Sequence, residues 1–336
     1  MSESALPPVR EWIATQTHAL LRQRGHAWLL QGPSGLGQYH LALSLVRAWL
    51  CEAPTADGAC GLCRSCHAIE VRANADLCVL MPEVQMLALG WPLSEKAQAD
   101  IDEKKRKPSK EIRVDAMRDA VEFTQRTNSQ GRGKAILVYP AEQMNTVTAN
   151  ALLKTLEEPP GAVKFVLATE SAHQLLPTIR SRCIGHTMQW PAPDVALRWL
   201  QACGLSRASA EVALQAAGGR PDDALDLEQS GRDPQLWSGL RAALNRGDTS
   251  VFKDWSAPQM IDALQKLCHD LMARESGAAP RFFDTKDLGR GVSLVSLSDW
   301  NKALMQSTKT MDHPFNAGLM QEALVNQAKI ALNCEY

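Results

Sequence analysis

The most constraining feature of this chain is an apolar run that leads directly into a glycine-rich turn and then a helix. The run AWLLQ at 27–31 has the length of a buried strand, the turn GPSGLG occupies 32–37, and 39–50 has helical periodicity. Two more apolar runs, AILVY at 135–139 and FVLAT at 165–169, alternate with helical segments. This alternation predicts a mostly parallel sheet with helices on both faces.

The glycine turn has the outline of a phosphate-binding loop, whose pattern is G-x-x-x-x-G-K-[ST]. Gly32, Gly35 and Gly37 stand where such a loop has glycines. Gln38 replaces the lysine that neutralises the β and γ phosphates, and Tyr39 replaces the small hydroxyl residue that holds magnesium. The backbone of this loop could still cradle a phosphate, but we expect its side chains not to hold a nucleotide.

A nucleotide hydrolase also needs an acid at the end of the next core strand, where it organises magnesium and water. Pro140 and Ala141 occupy the expected positions, and Glu142 follows as a near miss that is better interpreted as a solvated surface acid. The lysine, the magnesium ligand and the acid are therefore absent together. We expect no ATP hydrolysis by this chain, and ATP is not expected as its cofactor.

Four cysteines form a compact cluster with the spacing C-x8-C-x2-C-x2-C: Cys51, Cys60, Cys63 and Cys66. Four thiolates on tight turns can close a tetrahedral shell around zinc and leave no position for a substrate water. We therefore predict a structural zinc ion at these residues. The alternatives are a disulfide pair, inert buried thiols or an iron–sulfur cluster. His67 adjoins the cluster, but four sulfurs already complete the shell.

Composition argues against several classes of protein. The chain has 336 residues, too many for one compact core, so two or three domains are expected. Its net charge of -1 argues against an electrostatic nucleic-acid binder, and no apolar run approaches the length of a membrane span. The first residues lack the apolar core of a signal peptide, and nine cysteines, an odd number, are expected as reduced thiols in the cytoplasm.

The later part of the chain predicts helices. Residues 194–227 predict a small set of them, and from 234 onward the pattern is helical, with loops near 276–280 and 313–314. Residues 85–110 are polar and predict irregular structure. Their basic run, KKRK, is flanked by acidic residues, so a solvated loop is a better interpretation than a phosphate contact.

One charged group stands out near the end of the alternating region, in the segment TIRSRC at 178–183. A guanidinium at the edge of such a domain can reach the γ-phosphate of a neighbouring subunit and stabilise the charge of the transition state. From the residues alone, Arg182 is better interpreted as a surface arginine in an ordinary salt bridge.

Longer stretches of the chain resemble the clamp-loader branch of the AAA+ ATPases. The resemblance is carried by the degenerate glycine loop, the four-cysteine module, ANALLKTLEEPP at 149–160, KFVLAT at 164–169, TIRSRC at 178–183 and HPFNAGLMQEAL at 313–324. The serine–arginine–cysteine triplet is similar to the trans-acting arginine motif of that branch.

The resemblance implies an α/β fold followed by an all-α region, in three domains. The first would be an AAA+ nucleotide-binding-like domain with a parallel sheet at 1–188, carrying a zinc module at 51–66. A small helical lid would follow at 189–230, and a helical collar that joins subunits would complete the chain at 231–336.

The resemblance also implies a pentameric loader that opens a ring-shaped sliding clamp and closes it on primed DNA during replication. In that assembly this chain would have no polymerase or ATPase activity and would offer Arg182 to the ATP of an adjacent motor subunit. The implied partners are the motor subunits (gamma or tau) and the delta subunit of the bacterial DNA polymerase III clamp loader. The sliding clamp and primer–template DNA would be partners through the assembled complex, and no membrane is implied.

Two other functions stay open at this point. An autonomous AAA+ ATPase would show turnover by the isolated chain, and the loop at 32–40 argues against it. A zinc-dependent nucleic-acid-binding protein would bind DNA with a strongly salt-dependent affinity, and the net charge argues against it.

Overall fold

The computed structural model describes residues 9–230, 234–310 and 316–334. The chain divides into two compact units, one that extends to Val195 and one that starts at Ala196. Among the residues described, no helix combines the length and the apolar character needed to span a bilayer.

The first unit is built on one parallel sheet of five strands in the order β2-β3-β4-β1-β5. The strands are β1 Ala27–Gln31, β2 Leu77–Leu80, β3 Lys134–Val138, β4 Val163–Thr169 and β5 Ile184–Thr187. The helices are α1 Glu11–Leu21, α2 Gln38–Leu50, α3 Arg64–Glu70, α4 Glu83–Ala88, α5 Glu95–Asp102, α6 Val114–Gln125, α7 Thr146–Glu157 and α8 Pro177–Arg180, with 3-10 turns at Ala141–Gln143 and Ala172–Gln174. The predicted alternation of strands and helices is confirmed.

The central strands are buried along almost their whole length. Every residue of β3 is buried, and β4 is buried except at Lys164. Parallel strands covered by helices on both faces must be apolar on both faces, so their sequences form continuous apolar runs. The pairing of β1 with β4 sets Gln31 beside Thr169, so both strands end next to the glycine loop.

The sequence gives no sign of β5. This strand reads IGHT, and three of its four residues are exposed, so it has neither an apolar run nor an alternating pattern. It is defined by its parallel pairing with β1, in which Trp28 lies beside Ile184. Pairing at a sheet edge can therefore create a strand that local propensity does not predict.

The prediction of irregular structure at 85–110 is wrong, because α4 and α5 occupy much of this segment. The α5 helix begins after Ser94, whose hydroxyl accepts a hydrogen bond from the N–H of Ala97 at 3.3 Å. None of its residues is buried. Its apolar side chains are few and only half-buried, Ala97 and Ile101 among them, so the hydrophobic pattern was too weak to indicate a helix.

The basic run within that segment is only partly a solvated loop. Arg106 donates from Nη2 to Glu83 Oε1 at 2.8 Å and also pairs with Asp100, and its side chain is 24% exposed. Glu83 accepts in addition the N–H of Ser109 at 2.8 Å. Arg106 therefore links the beginning of α4 to α5, whereas the three lysines of the run are exposed.

The remainder of the described chain contains helices and no strand. They are α9 Pro193–Ala202, α10 Arg207–Ala216, α11 Pro221–Gln229, α12 Pro234–Arg246, α13 Ala257–Glu275, α14 Thr285–Leu288, α15 Leu294–Thr310 and α16 Ala317–Leu332, with a 3-10 turn at Thr249–Phe252. The predicted loop near 276–280 is confirmed, whereas the one at 313–314 lies outside the described residues.

A buried carboxylate organises the loop that follows α13. Asp270 has no exposed surface and accepts hydrogen bonds from the backbone N–H groups of Arg281, Phe282 and Phe283, at 3.0, 2.6 and 2.9 Å. A carboxylate that accepts from three successive backbone donors fixes the path of the loop, because its own oxygens are cut off from water and depend on those donors.

Replacing Asp270 with asparagine is expected to lower the free energy of unfolding by about 2–4 kcal/mol. Asparagine keeps the shape of the side chain but turns one acceptor oxygen into a donor that faces backbone N–H groups. Urea unfolding followed by circular dichroism would measure the loss. Asp299→Asn is the matched control, since Asp299 is 68% exposed in a surface pair with Lys302. Equal unfolding midpoints for both variants would contradict the proposed role of Asp270.

Candidate functional site: a glycine loop, a cysteine cluster and a surface arginine

The glycine loop joins the end of β1 to the beginning of α2 and needs its glycines for geometry. Gly35 and Gly37 have φ angles of 76° and 88°, in the left-handed region that favours glycine. A Cβ at Gly32 would lie 2.8 Å from the Cβ of Met188, closer than real Cβ contacts allow. The turn is thus a requirement of this fold at this place, whether or not a phosphate binds there.

Gln38, at the position of the missing lysine, is used by the loop itself. Its side chain is buried, and Nε2 donates to the carbonyl oxygens of Gly32 at 2.8 Å and Pro33 at 2.6 Å. Both amide hydrogens are therefore directed at the backbone of the loop. Gln38 closes the turn from within, instead of presenting a charge to a phosphate.

Tyr39 stands at the position of the magnesium-binding residue, and its hydroxyl also has a hydrogen-bond partner within the chain. Its hydroxyl accepts a hydrogen bond from Nε1 of Trp91 at 2.8 Å, and both residues are buried. Burial raises the pKa of Tyr39, which keeps the phenol neutral. Trp91 comes from the segment between α4 and α5, and no local pattern predicts its contact with the loop.

At the end of β3, where a hydrolase has its catalytic acid, the prediction is right for two residues and wrong for the third. Pro140 and Ala141 follow β3 as expected, but Glu142 is not a solvated surface acid. It is half-buried, and its Oε1 accepts the backbone N–H of Glu170 at 3.0 Å, while Glu170 Oε1 accepts the hydroxyl of Tyr139 at 3.0 Å. The two carboxylates therefore link the residues that follow β3 to the residue that follows β4.

We expect the isolated chain to show no saturable binding of Mg-ATP at millimolar concentrations and no ATP turnover. The side chains at the two key positions of the loop already have buried partners within the chain, and neither of them carries a positive charge. Calorimetric titration and a phosphate-release assay would measure both properties. Gln38→Lys alone should leave turnover absent, because the magnesium ligand and the acid are still missing. Turnover by the unmodified chain would instead support the autonomous ATPase.

The four cysteines predicted as metal ligands lie together. Their Sγ atoms all fall within 4.8 Å of one another, and Cys51 and Cys66 are buried while Cys60 and Cys63 are half-buried. The Sγ atoms of Cys51 and Cys63 are 3.8 Å apart. Sulfurs about 2.3 Å from a tetrahedral zinc ion are separated by about 3.8 Å, so this spacing suits one metal ion between them.

The four thiols differ in acidity: burial raises the pKa of Cys51 and Cys66, that of Cys66 to about 12, whereas hydrogen bonds from the backbone lower the pKa of Cys60 and Cys63. Cys63 caps the N-terminus of α3, and its Sγ accepts the N–H of Cys66 at 3.4 Å. Burial acts to raise the pKa of Cys63, but backbone hydrogen bonds from Cys66 and Glu52 outweigh it and lower that pKa to about 6. A thiol with a low pKa is readily converted into the thiolate that a metal requires. The cluster could therefore hold a metal ion.

Arg182 lies two residues beyond the end of α8, where the chain enters β5. Its Nη1 donates to the carbonyl oxygen of Thr178 at 3.0 Å, and its Nη2 and Nε donate to Glu157 Oε2 at 3.1 and 3.4 Å. The side chain is 30% exposed. Arg182 therefore forms the ordinary salt bridge that the residues alone suggest, in this case with Glu157. Its guanidinium nevertheless lies at the surface.

A family model and several relatives identify the family of this chain. A family model described as "DNA polymerase III, delta subunit" matches residues 13–191. A DNA polymerase III subunit delta' from Pseudomonas aeruginosa is 37% identical, over 91% of this chain and 92% of its own length. The chain belongs to the family of DNA polymerase III delta' subunits. Its relative from Escherichia coli K12 is 32% identical, over 72% of this chain and 70% of its own length.

A solved structure shows the same fold. A DNA polymerase III gamma subunit-related protein from Thermotoga maritima superposes with a TM-score of 0.50 at 15% identity, covering 96% of this chain and all of that protein. The resemblance to AAA+ clamp-loader proteins and the fold class, α/β followed by helices, are therefore confirmed.

Proposed function

We propose that this chain is a non-hydrolysing subunit of the DNA polymerase III clamp loader and that it supplies Arg182 in trans to the ATP site of an adjacent motor subunit. The observation that carries the proposal is the contrast between its two sites. The side chains of Gln38 and Tyr39 form hydrogen bonds inside the domain, whereas the guanidinium of Arg182 lies at the surface. A subunit with this distribution of groups can act on a neighbour's nucleotide and has no means to act on its own.

Arg182 suits this role by its chemistry. A guanidinium carries a permanent charge and presents five N–H donors in a planar fork that matches phosphate oxygens. The bonds to Glu157 and Thr178 account for three of these donors. The other two have no partner in the described part of the chain, so a phosphoryl group in transfer could accept both and have its charge stabilised.

The proposed partners follow from the family. We propose that the chain assembles with gamma or tau motor subunits and with a delta subunit, and that it meets the sliding clamp and primer–template DNA through that complex in the cytoplasm. We also propose the division into an AAA+ domain at 1–188, a lid at 189–230 and a collar at 231–336.

We propose that Cys51, Cys60, Cys63 and Cys66 hold a structural zinc ion. Four sulfur ligands leave no open coordination position, so the metal would contribute stability and no catalytic water. The spacing of the sulfurs supports this choice.

The main proposal is tested by comparing loaders reconstituted with this chain and with its Arg182→Ala form. The property measured is ATP turnover under stimulation by DNA and clamp. The isolated chain supplies the other arms of the test. Turnover without partners would support the autonomous ATPase, and DNA binding whose affinity falls steeply with salt would support the nucleic-acid-binding protein.

A further inference from the structure

We propose that Glu157 is a positioning residue for Arg182, and that this carboxylate holds the guanidinium in the orientation from which it reaches the neighbouring subunit's ATP. The inference rests on the proposed function of Arg182 and deepens it. It concerns a residue that contacts no nucleotide itself and acts through the arginine that it binds.

The position of Glu157 in its helix is the first observation. Glu157 is the last residue of α7, where the helix dipole presents its negative end, and it is followed by Glu158 and by Pro159. An acidic side chain at this end is unfavourable for the helix itself. The stability of α7 therefore does not explain the residue, whereas a cationic partner does.

The second observation is the geometry of the contact. Nη2 and Nε of Arg182 both donate to Oε2 of Glu157, so the carboxylate engages one side edge of the guanidinium. The carbonyl oxygen of Thr178, in the first turn of α8, accepts a hydrogen bond from Nη1. Two acceptors on different elements fix the plane of the guanidinium, and the two remaining N–H groups keep a defined direction.

The third observation is how differently the neighbouring residues are placed. Arg180, in the same segment, has as its described contact one long bond from Nη1 to the carbonyl oxygen of Ala172, at 3.5 Å. Glu158 directly follows Glu157 and is exposed, and no ion pair to it is described. The ion pair described among these four residues is the one between Arg182 and Glu157.

An ordinary surface salt bridge is the alternative explanation. Glu157 is 59% exposed, and such pairs generally contribute little to stability. Stability is therefore the wrong property to test. A positioning residue must change the rate of the reaction that its arginine promotes, and it must do so only while that arginine is present.

The experiment uses the full chain in the reconstituted loader, with ATP turnover measured under DNA and clamp stimulation. Glu157→Ala is expected to lower kcat about 10-fold, since misplacement of a positioned group costs rates of this order or more. The KM for ATP should stay unchanged, because the motor subunit binds the nucleotide. Glu157→Gln should lose less, because its amide oxygen can still accept from Arg182. Glu158→Ala is the matched control and should retain full turnover.

A double-mutant cycle completes the test. Glu157→Ala in an Arg182→Ala background is expected to cause no further loss, whereas a general defect in folding or assembly would lower both backgrounds equally. Size-exclusion chromatography of each loader checks assembly.

Three results would overturn the inference. One is unchanged turnover for Glu157→Ala, and another is a rise in turnover, which would mean that the carboxylate restrains the arginine. The third is an equal loss in both backgrounds. If Arg182→Ala itself leaves turnover unchanged, the proposed function fails and the inference fails with it. If Arg182→Ala lowers turnover and Glu157→Ala does not, only the inference fails.

Discussion

Replacing Arg182 with alanine is expected to lower the stimulated ATP turnover of the reconstituted loader by an order of magnitude or more. An arginine supplied in trans to a phosphoryl-transfer site contributes roughly 10³–10⁵ in rate where it acts alone on the transition state. Only the site next to this chain loses its arginine, so the expected loss of total turnover also requires that the other ATP sites of the loader depend on this one. A steady-state assay at saturating ATP measures the change.

Two variants and one assembly measurement make this prediction specific. Arg180→Ala removes a neighbouring guanidinium that has no described carboxylate partner and should leave turnover near its original value. Arg182→Lys keeps the charge but loses the planar fork, so we expect only partial activity. If the Arg182→Ala loader assembles normally and its turnover equals that of the unmodified loader, Arg182 is at most an interface residue.

The sequence allowed the nucleotide-like part of the fold to be predicted because its strands are buried on both faces. The strands β1, β3 and β4 appear as continuous apolar runs, and the glycines between β1 and α2 mark a turn that other residues could not form. The absence of a charge at Gln38 could likewise be seen directly. Each of these features depends on residues that are close together in the sequence, so a short stretch of sequence is enough to predict it.

The partners of the site residues could not be predicted, because they come from distant parts of the chain. Trp91 meets Tyr39 across 52 residues, and Glu157 meets Arg182 across 25. Each of these contacts depends on how the helices pack on the sheet. One signal was nevertheless available, since an acidic residue such as Glu157 at the end of a helix opposes the helix dipole and indicates that a cation lies nearby.

Loss of the proposed zinc ion is expected to destabilise the first unit by several kcal/mol and to expose the segment 51–66 to proteases. In structural zinc sites the free energy of metal binding is a large part of the free energy of folding. Without a cation, burial raises the pKa of Cys51 and that of Cys66, the latter to about 12, so both sulfurs would be protonated and nothing would replace their bonds to the metal. The purified chain should contain about one zinc ion, which elemental analysis would measure.

Cys63→Ser is the variant that separates a metal site from a cluster of inert thiols. It removes one ligand of four and should abolish stoichiometric zinc and reproduce the protease sensitivity that a chelator produces in the unmodified chain. Cys334→Ser is the control, because Cys334 is exposed and lies outside the cluster. A chain that contains no zinc, and whose stability is the same with and without Cys63, would show that the thiols are inert. Iron in place of zinc would instead identify an iron–sulfur cluster at the same four residues.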